Sequence, residues 1–248
     1  PFYSEPAMKR IAVQLRAELM LIARNGEQLL LTMIIPLLLL GFFGSVDVLP
    51  SGDVEPIQFL VPGVIAVAIM SSAMVSLGIA TGFERSYLVL KRLGATPLTR
   101  GQLVVSKILS VFCVQVIQVA ALLALGLFLG WEPAGNQWPL AIVAVLGGTS
   151  AFAGIGLILA GRLRAEINLA AQNGLYLLLL LLGGMVIPRD SLPSAASTAA
   201  QVLPSTALAD LLRTTLNGDS GALLVPGAVL CAWAILAPAI AAKRFRWS

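Results

Sequence analysis

Histidine is absent from this chain, cysteine occurs twice, and Asp, Glu, Lys and Arg together make up only 11% of its 248 residues. Without histidine, the side chain that most often serves as a general base near neutral pH is missing, and so is a common zinc ligand. Cys113 and Cys231 each fall inside a long apolar run with no second ligand at metal spacing. They read as small buried hydrophobes, and a disulfide is not expected. No G-x-x-x-x-G-K-[ST] occurs, so the chain has no P-loop with which to cradle a nucleoside triphosphate. A G-x-S-x-G and a mid-run pair of carboxylates are also missing, which counts against an intramembrane enzyme. A soluble domain of this length could not cover its surface with so little charge.

In place of charge there are six apolar runs, at 29–46, 57–82, 103–130, 140–161, 169–187 and 223–242. Each can cross a hydrocarbon core of about 30 Å, which takes about 20 helical residues. Of the 16 Lys and Arg residues, 14 lie on alternate sides of these runs, and only Arg189 and Arg213 fall on the other side. Positive residues in short flanking loops stay in the cytoplasm. The pattern therefore predicts an all-α polytopic protein of a bacterial inner membrane, with six transmembrane helices and both termini cytoplasmic. The formal net charge of +4 then reports topology and contact with anionic membrane lipid, and no nucleic-acid partner is expected. No acidic residue sits at the middle of a run, which argues against a proton- or sodium-coupled carrier. The run at 29–46 is too long and wrongly flanked for a cleavable signal, and the absence of a Met before Pro1 points to a leading segment outside this sequence.

Two regions divide the chain: residues 1–28 and a transmembrane domain at 29–248. In the first, Ile11, Leu15, Leu19 and Ile22 recur at helical spacing, as in an amphipathic helix lying in the cytoplasmic interface, although a basic tail is the alternative. Trp131 and Trp138 flank a short outer connection and suit an interfacial aromatic belt. Residues 83–102 form a cytoplasmic loop. Its segment 83–93 can make about three helical turns, Gly94 offers a left-handed helix end, Pro97 blocks resumption, and Thr99 with Gln102 makes a capping box that starts the next run. Such a helix either receives a push from a cytoplasmic partner or merely anchors the loop.

An extracytoplasmic helical hairpin is predicted at 188–222, punctuated by Pro188, Pro193 and Pro204, with helices at 194–203 and 206–216 and a stop at Asn217-Gly218. Leu208, Leu211, Leu212 and Leu216 recur at helical spacing, so the hairpin is expected to bury itself against the fifth and sixth spans and close the outer end of a pathway. Asp210 and Arg213 can pair on one face, with Arg213 snorkelling to the outer interface. Gln115, Gln118, Asn168, Gln172 and Asn173 are polar residues within or beside spans; each either binds helices together or lines a pathway. Gly126 with Gly130, and Ser150 with Gly154, have small-x-x-x-small spacing.

The segment from Glu84 through Lys91-Arg92-Leu93-Gly94-Ala95-Thr96-Pro97-Leu98 to Arg100, followed by Lys107, resembles the signature of ABC type-2 exporter permeases, particularly the daunorubicin and drug-resistance-like group. The ending Leu203-Pro204-Ser205-Thr206 through Arg213 is similar to the outer signature of the same family. The resemblance implies a permease subunit that pairs with a second permease subunit, as a homodimer or heterodimer, and engages two ABC ATPase subunits. ATP and magnesium would be bound by those ATPases, and this chain would hold no cofactor or metal and have no catalytic residue. It further implies ATPase coupling through Glu84, Arg85, Tyr87, Lys91, Arg92, Gly94 and Pro97, and an outer gate bearing Pro188, Pro193, Pro204, Asp210 and Arg213. The importer loop, with its E-A-A start and early Gly, is not matched. The expected cargo is a hydrophobic or amphipathic drug, lipid or lipid-linked molecule; the alternative is a non-transporting sensor or channel subunit.

Overall fold

In the computed structural model, residues 7–46, 56–134, 137–186, 193–218 and 221–245 are described. They form helices and turns with no strand among them. The helices are α1 (Ala7–Arg24), α2 (Gly26–Ser45), α3 (Pro56–Met70), α4 (Leu77–Ser86), α5 (Val89–Leu93), α6 (Arg100–Phe128), α7 (Trp138–Ala160), α8 (Ala165–Leu182), α9 (Ser194–Ala200), α10 (Pro204–Asn217) and α11 (Leu224–Arg244). A π-helical stretch, Ser71–Ser76, joins α3 to α4, so that Pro56–Ser86 runs as one 31-residue rod. Five helices are long and apolar enough to cross a membrane: this rod, α6, α7, α8 and α11. The elbow of α1 with α2, bent by 69°, brings the number to at most six.

The rod is the hub. In its most apolar stretch 83% of residues are buried within the protein, against 17% for α11, so it packs against protein where α11 presents its sides to lipid. Where the hydrogen-bond ladder widens from i+4 to i+5, backbone carbonyls lose their regular partners. Side chains supply them. Ser72 Oγ donates to Ala68 O at 2.8 Å, and Gln115 Nε2 donates to Ile69 O at 3.2 Å and to Ser72 Oγ at 2.8 Å. Thr149 Oγ1 closes the network by donating to Gln115 Oε1. Three helices are thereby joined through one amide, in a medium where an unsatisfied carbonyl costs several kcal/mol.

Small residues set the spacing of the other spans. A Cβ on Gly156 would stand 2.6 Å from Met74 O, and one on Gly154 would stand 2.5 Å from Pro238 N. Ser150 Oγ donates to Ala234 O at 2.8 Å, so the Ser150–Gly154 spacing marks the α7–α11 contact. The Gly126–Gly130 spacing does not make a helix pair. Gly126 accommodates Val61, whereas Gly130 has φ +91° and open space around it, and it ends α6.

Two local expectations are corrected. The segment 83–93 is not one helix: α4 extends to Ser86, Leu88 adopts left-handed φ 59°, and α5 follows as a short separate turn. Gly94 is right-handed at φ −64° and has no left-handed role. Leu90, in α5, is fully buried in the core. Cys113 and Cys231 are both free and exposed on the outer surface of the bundle instead of buried. The capping box is as expected: Gln102 N donates to Thr99 Oγ1 at 3.2 Å, and Thr99 N donates to Gln102 Oε1 at 3.0 Å.

Gly154→Ala is expected to destabilise the fold by about 1–3 kcal/mol, because its methyl meets backbone that cannot yield. Gly174→Ala, with nothing within 4 Å of its Cβ, should instead stabilise by up to about 1 kcal/mol. Thermal unfolding of the purified protein checks the opposite signs.

Candidate coupling site and outer hairpin

Lys107 lies two turns into α6 and is 1% exposed. Its Nζ stands 3.1 Å from Glu18 Oε2 and 2.8 Å from Glu84 Oε2, and it also donates to Glu84 Oε1 at 3.0 Å. Gln14 Nε2 donates to Glu18 Oε1 at 2.8 Å. Moving each ion out of water costs several kcal/mol, so the group persists only because three charges from α1, α4 and α6 satisfy one another. Removing Lys107 leaves two carboxylates without compensation, whereas removing either glutamate leaves a matched pair.

This geometry inverts part of the sequence reading. α1 turns Gln14 and Glu18 inward, whereas its apolar stripe, Ile11, Leu15, Leu19 and Ile22, is only half-buried. Glu84, expected as a coupling contact of the loop, is folded into the bundle. Arg85 donates to the carbonyls of Ala160 at 3.1 Å and Leu163 at 3.5 Å, capping the end of α7, where a cation also complements the helix dipole. The remaining residues of the loop are available at its surface. Tyr87 is 71% exposed, and Lys91, Arg92, Gly94 and Pro97 are exposed. Pro97 O accepts from Arg10 Nη1 at 2.8 Å, a second tie between loop and α1. Glu18 was missed by sequence reasoning. Its signal was present, since it is the sole acid in α1.

A cavity of about 540 Å³ opens beside the ion group between the α1–α2 elbow, the rod and α6. Its walls are mainly apolar, including Leu21, Ile22, Leu77, Phe83 and Val111, with Glu18, Glu84 and Lys107 on one side.

The intramembrane amides serve helix contacts. Gln115 bridges the rod and α7 as above, and Gln118 Nε2 donates to Thr32 O of α2 at 2.7 Å. Gln172 Nε2 donates to Gly156 O at 2.9 Å and to Asn168 Oδ1 at 3.2 Å, while Asn168 Nδ2 donates to Gly78 O at 2.9 Å. Gly78 and Gly82 make room for Gln172 and Asn168 respectively. Asn173 is exposed and bonds back to Leu169 O of its own helix. Gln115, Gln118 and Gln172 are thus buried among helix contacts of this chain.

At the end of the bundle opposite the ion group, α9 and α10 occupy the segment expected to form the hairpin. Pro204, expected to divide the two helices, instead opens α10 at its first turn, and Gly218 ends it with φ 73°, as the sequence predicts. Leu208, Leu211, Leu212 and Leu216 are all buried, and α10 packs mainly on α3, α7 and α11. The expected seat was the fifth and sixth spans; the observed one is the second, fourth and sixth. Arg213 is half-buried. Its Nη2 donates inward to Gly184 O at 2.6 Å and Met185 O at 3.1 Å, and its guanidinium lies 3.9 Å from the centre of the Phe59 ring. Asp210 is half-buried on the same helix, and Pro193 is exposed ahead of α9. Pro188 lies outside the described residues. Trp131, expected in an interfacial belt, is 2% exposed; its Nε1 donates to Asn217 Oδ1 at 3.0 Å, and Asn217 Nδ2 donates to Gln58 O at 2.7 Å. Trp138 is exposed and meets Trp131 edge-on.

A bundle of long apolar helices held by intramembrane amides and glycines, with its basic turns gathered at one end, defines a multi-pass membrane protein. The family model described as ABC-2 type transporter matches residues 10–217, and the chain belongs to that family. It is thus a transporter permease domain, and not a catalytic one. Comparison with curated proteins finds no match.

Lys107→Met should destabilise the protein by about 3–5 kcal/mol, since Glu18 and Glu84 lose the one cation that pairs with them among the described residues. Denaturant titration in detergent reads this directly. Leu212→Cys should react with a membrane-impermeant thiol reagent far more slowly than Gln201→Cys, whose side chain is exposed.

Proposed function

We propose that this chain is the permease subunit of an ATP-driven ABC exporter in a bacterial inner membrane, with both termini cytoplasmic. It pairs with a second permease subunit and with two ATPase subunits that bind ATP and magnesium. The cargo is a hydrophobic or amphipathic molecule of the drug, lipid or lipid-linked class, and the loop segment from Glu84 to Arg100 resembles that of the daunorubicin-like group. In this reading residues 1–28 lie at the cytoplasmic interface, 83–102 form the coupling loop, and 188–222 form the outer gate.

The observation that carries the reading is the ion group Glu18–Lys107–Glu84. It fastens the base of the exposed loop, through Glu84, to α1 and to α6. A force applied by a cytoplasmic ATPase to Tyr87, Lys91 and Arg92 would reach the rod and α6 together, because the group cannot be pulled apart cheaply. The apolar cavity beside it suits amphipathic cargo better than a small ion.

The test is co-expression with an ABC ATPase subunit. Tyr87→Ala and Arg92→Ala should lower substrate-stimulated ATP hydrolysis at least about tenfold, equivalent to about 1.4 kcal/mol of lost coupling, while the amount of permease in the membrane stays unchanged. Full stimulation in both variants would return this segment to an anchored loop.

A further inference from the structure

Four basic side chains, Arg100, Arg162, Lys243 and Arg244, surround a cleft of about 520 Å³ where the start of α6 and the ends of α7 and α11 meet. All four are exposed, and among the described residues none has a carboxylate partner within ion-pair distance. Like charges gathered in this way repel one another unless an anion sits between them. A second, apolar groove is built on the same three helices. It is lined by Gly101, Val104, Ile108 and Leu109 of α6, and by Pro238 and Ala239 of α11.

The two hollows follow one another along the helices. From Arg100 at the basic cleft to Leu109 in the groove, α6 rises about 14 Å at 1.5 Å per residue. That is about half of a 30 Å hydrocarbon core, the depth of one leaflet. Along α11, Lys243 and Arg244 lie at the basic end, with Ala239 and Pro238 deeper. Gly101, Ser150, Ala239 and Ala242 keep the groove walls low.

We propose that this composite hollow is a binding site for an anionic phospholipid of the leaflet bordering the basic end, with its phosphate among Arg100, Arg162, Lys243 and Arg244 and one acyl chain in the α6–α11 groove. A soluble phosphate compound would satisfy the cations but leave the groove empty, and a zwitterionic lipid would fill the groove while bringing its own cation to the cluster. Basic pockets between spans at the cytoplasmic side favour acidic head groups for the same electrostatic reason. The site would tie three helix ends to the membrane at the level of the loop, apart from the ion group and from the cavity beside it.

The full chain is purified in neutral detergent, stripped of co-purifying lipid and titrated with dioleoyl phosphatidylglycerol, dioleoyl phosphatidylcholine or glycerol phosphate, and bound molecules are counted by native mass spectrometry. Phosphatidylglycerol should bind at least about tenfold more tightly than phosphatidylcholine, with glycerol phosphate not retained. Arg100→Gln with Arg244→Gln should weaken phosphatidylglycerol about 25-fold, from about 1 kcal/mol for each basic residue near a charged lipid. Arg100→Lys with Arg244→Lys should keep most of the binding, and Ala239→Trp, which fills the groove and leaves the charges, should lose it. Equal binding of phosphatidylcholine would mean ordinary boundary lipid, and retention of glycerol phosphate at equal affinity would mean a soluble-anion site. Either result, or unchanged binding in the double glutamine variant, overturns the proposal. The assay needs no ATPase and no cargo, so it succeeds or fails independently of the transport reading.

Discussion

One lysine governs how this bundle is held at its basic end. Lys107 brings a full charge into a dry interior, and the only stable arrangement is one in which carboxylates come to it. Glu84 is supplied by the rod, 23 residues earlier in the chain, and Glu18 by α1, 89 residues earlier. The requirement explains why α1 turns Gln14 and Glu18 inward. It also explains why the rod ends close to α6 before the chain turns at Leu88.

Elsewhere in the spans the same rule operates without charge. The π-helical stretch of the rod leaves carbonyls that Ser72 and Gln115 take up, and Asn168 donates to Gly78 O across a glycine that lets the helices touch. Lipid offers no competing water, so these bonds place the helices and the glycines fix their distances. At the opposite end Arg213 and Asn217 do equivalent work, pinning α10 to backbone carbonyls near Met185 and Gln58. α10 is therefore built as part of the core, with its leucines packed against α3, α7 and α11.

Much of this was legible from local pattern. The apolar runs located the helices, the Thr99–Gln102 box located the start of α6, Asn217-Gly218 located the end of α10, and the leucine spacing announced its burial. Each of these signals acts over a few residues. What could not be read was which distant side chains share a site. Glu18 and Lys107 are joined by tertiary packing, and no short-range pattern pairs them. Trp131 was assigned to the interface by residue type, yet it is buried with an amide partner on α10, which a residue-type rule does not foresee. The left-handed Leu88 is likewise a tertiary imposition, because leucine has no preference for that conformation and takes it at a cost of about 1–2 kcal/mol.

The central claim is that the ion group transmits force between the loop and the spans, beyond its part in holding the fold. Replacing all three members by neutral side chains of similar size, Glu18→Gln, Glu84→Gln and Lys107→Met, separates the two roles, since removing a buried ion group as a whole is often neutral or stabilising. In the assembled complex with its ATPase, unfolding stability and substrate-stimulated ATP hydrolysis are measured side by side. The account predicts stability within about 2 kcal/mol of the parent together with loss of most of the stimulation. A stable triple variant that retains full stimulation would contradict it.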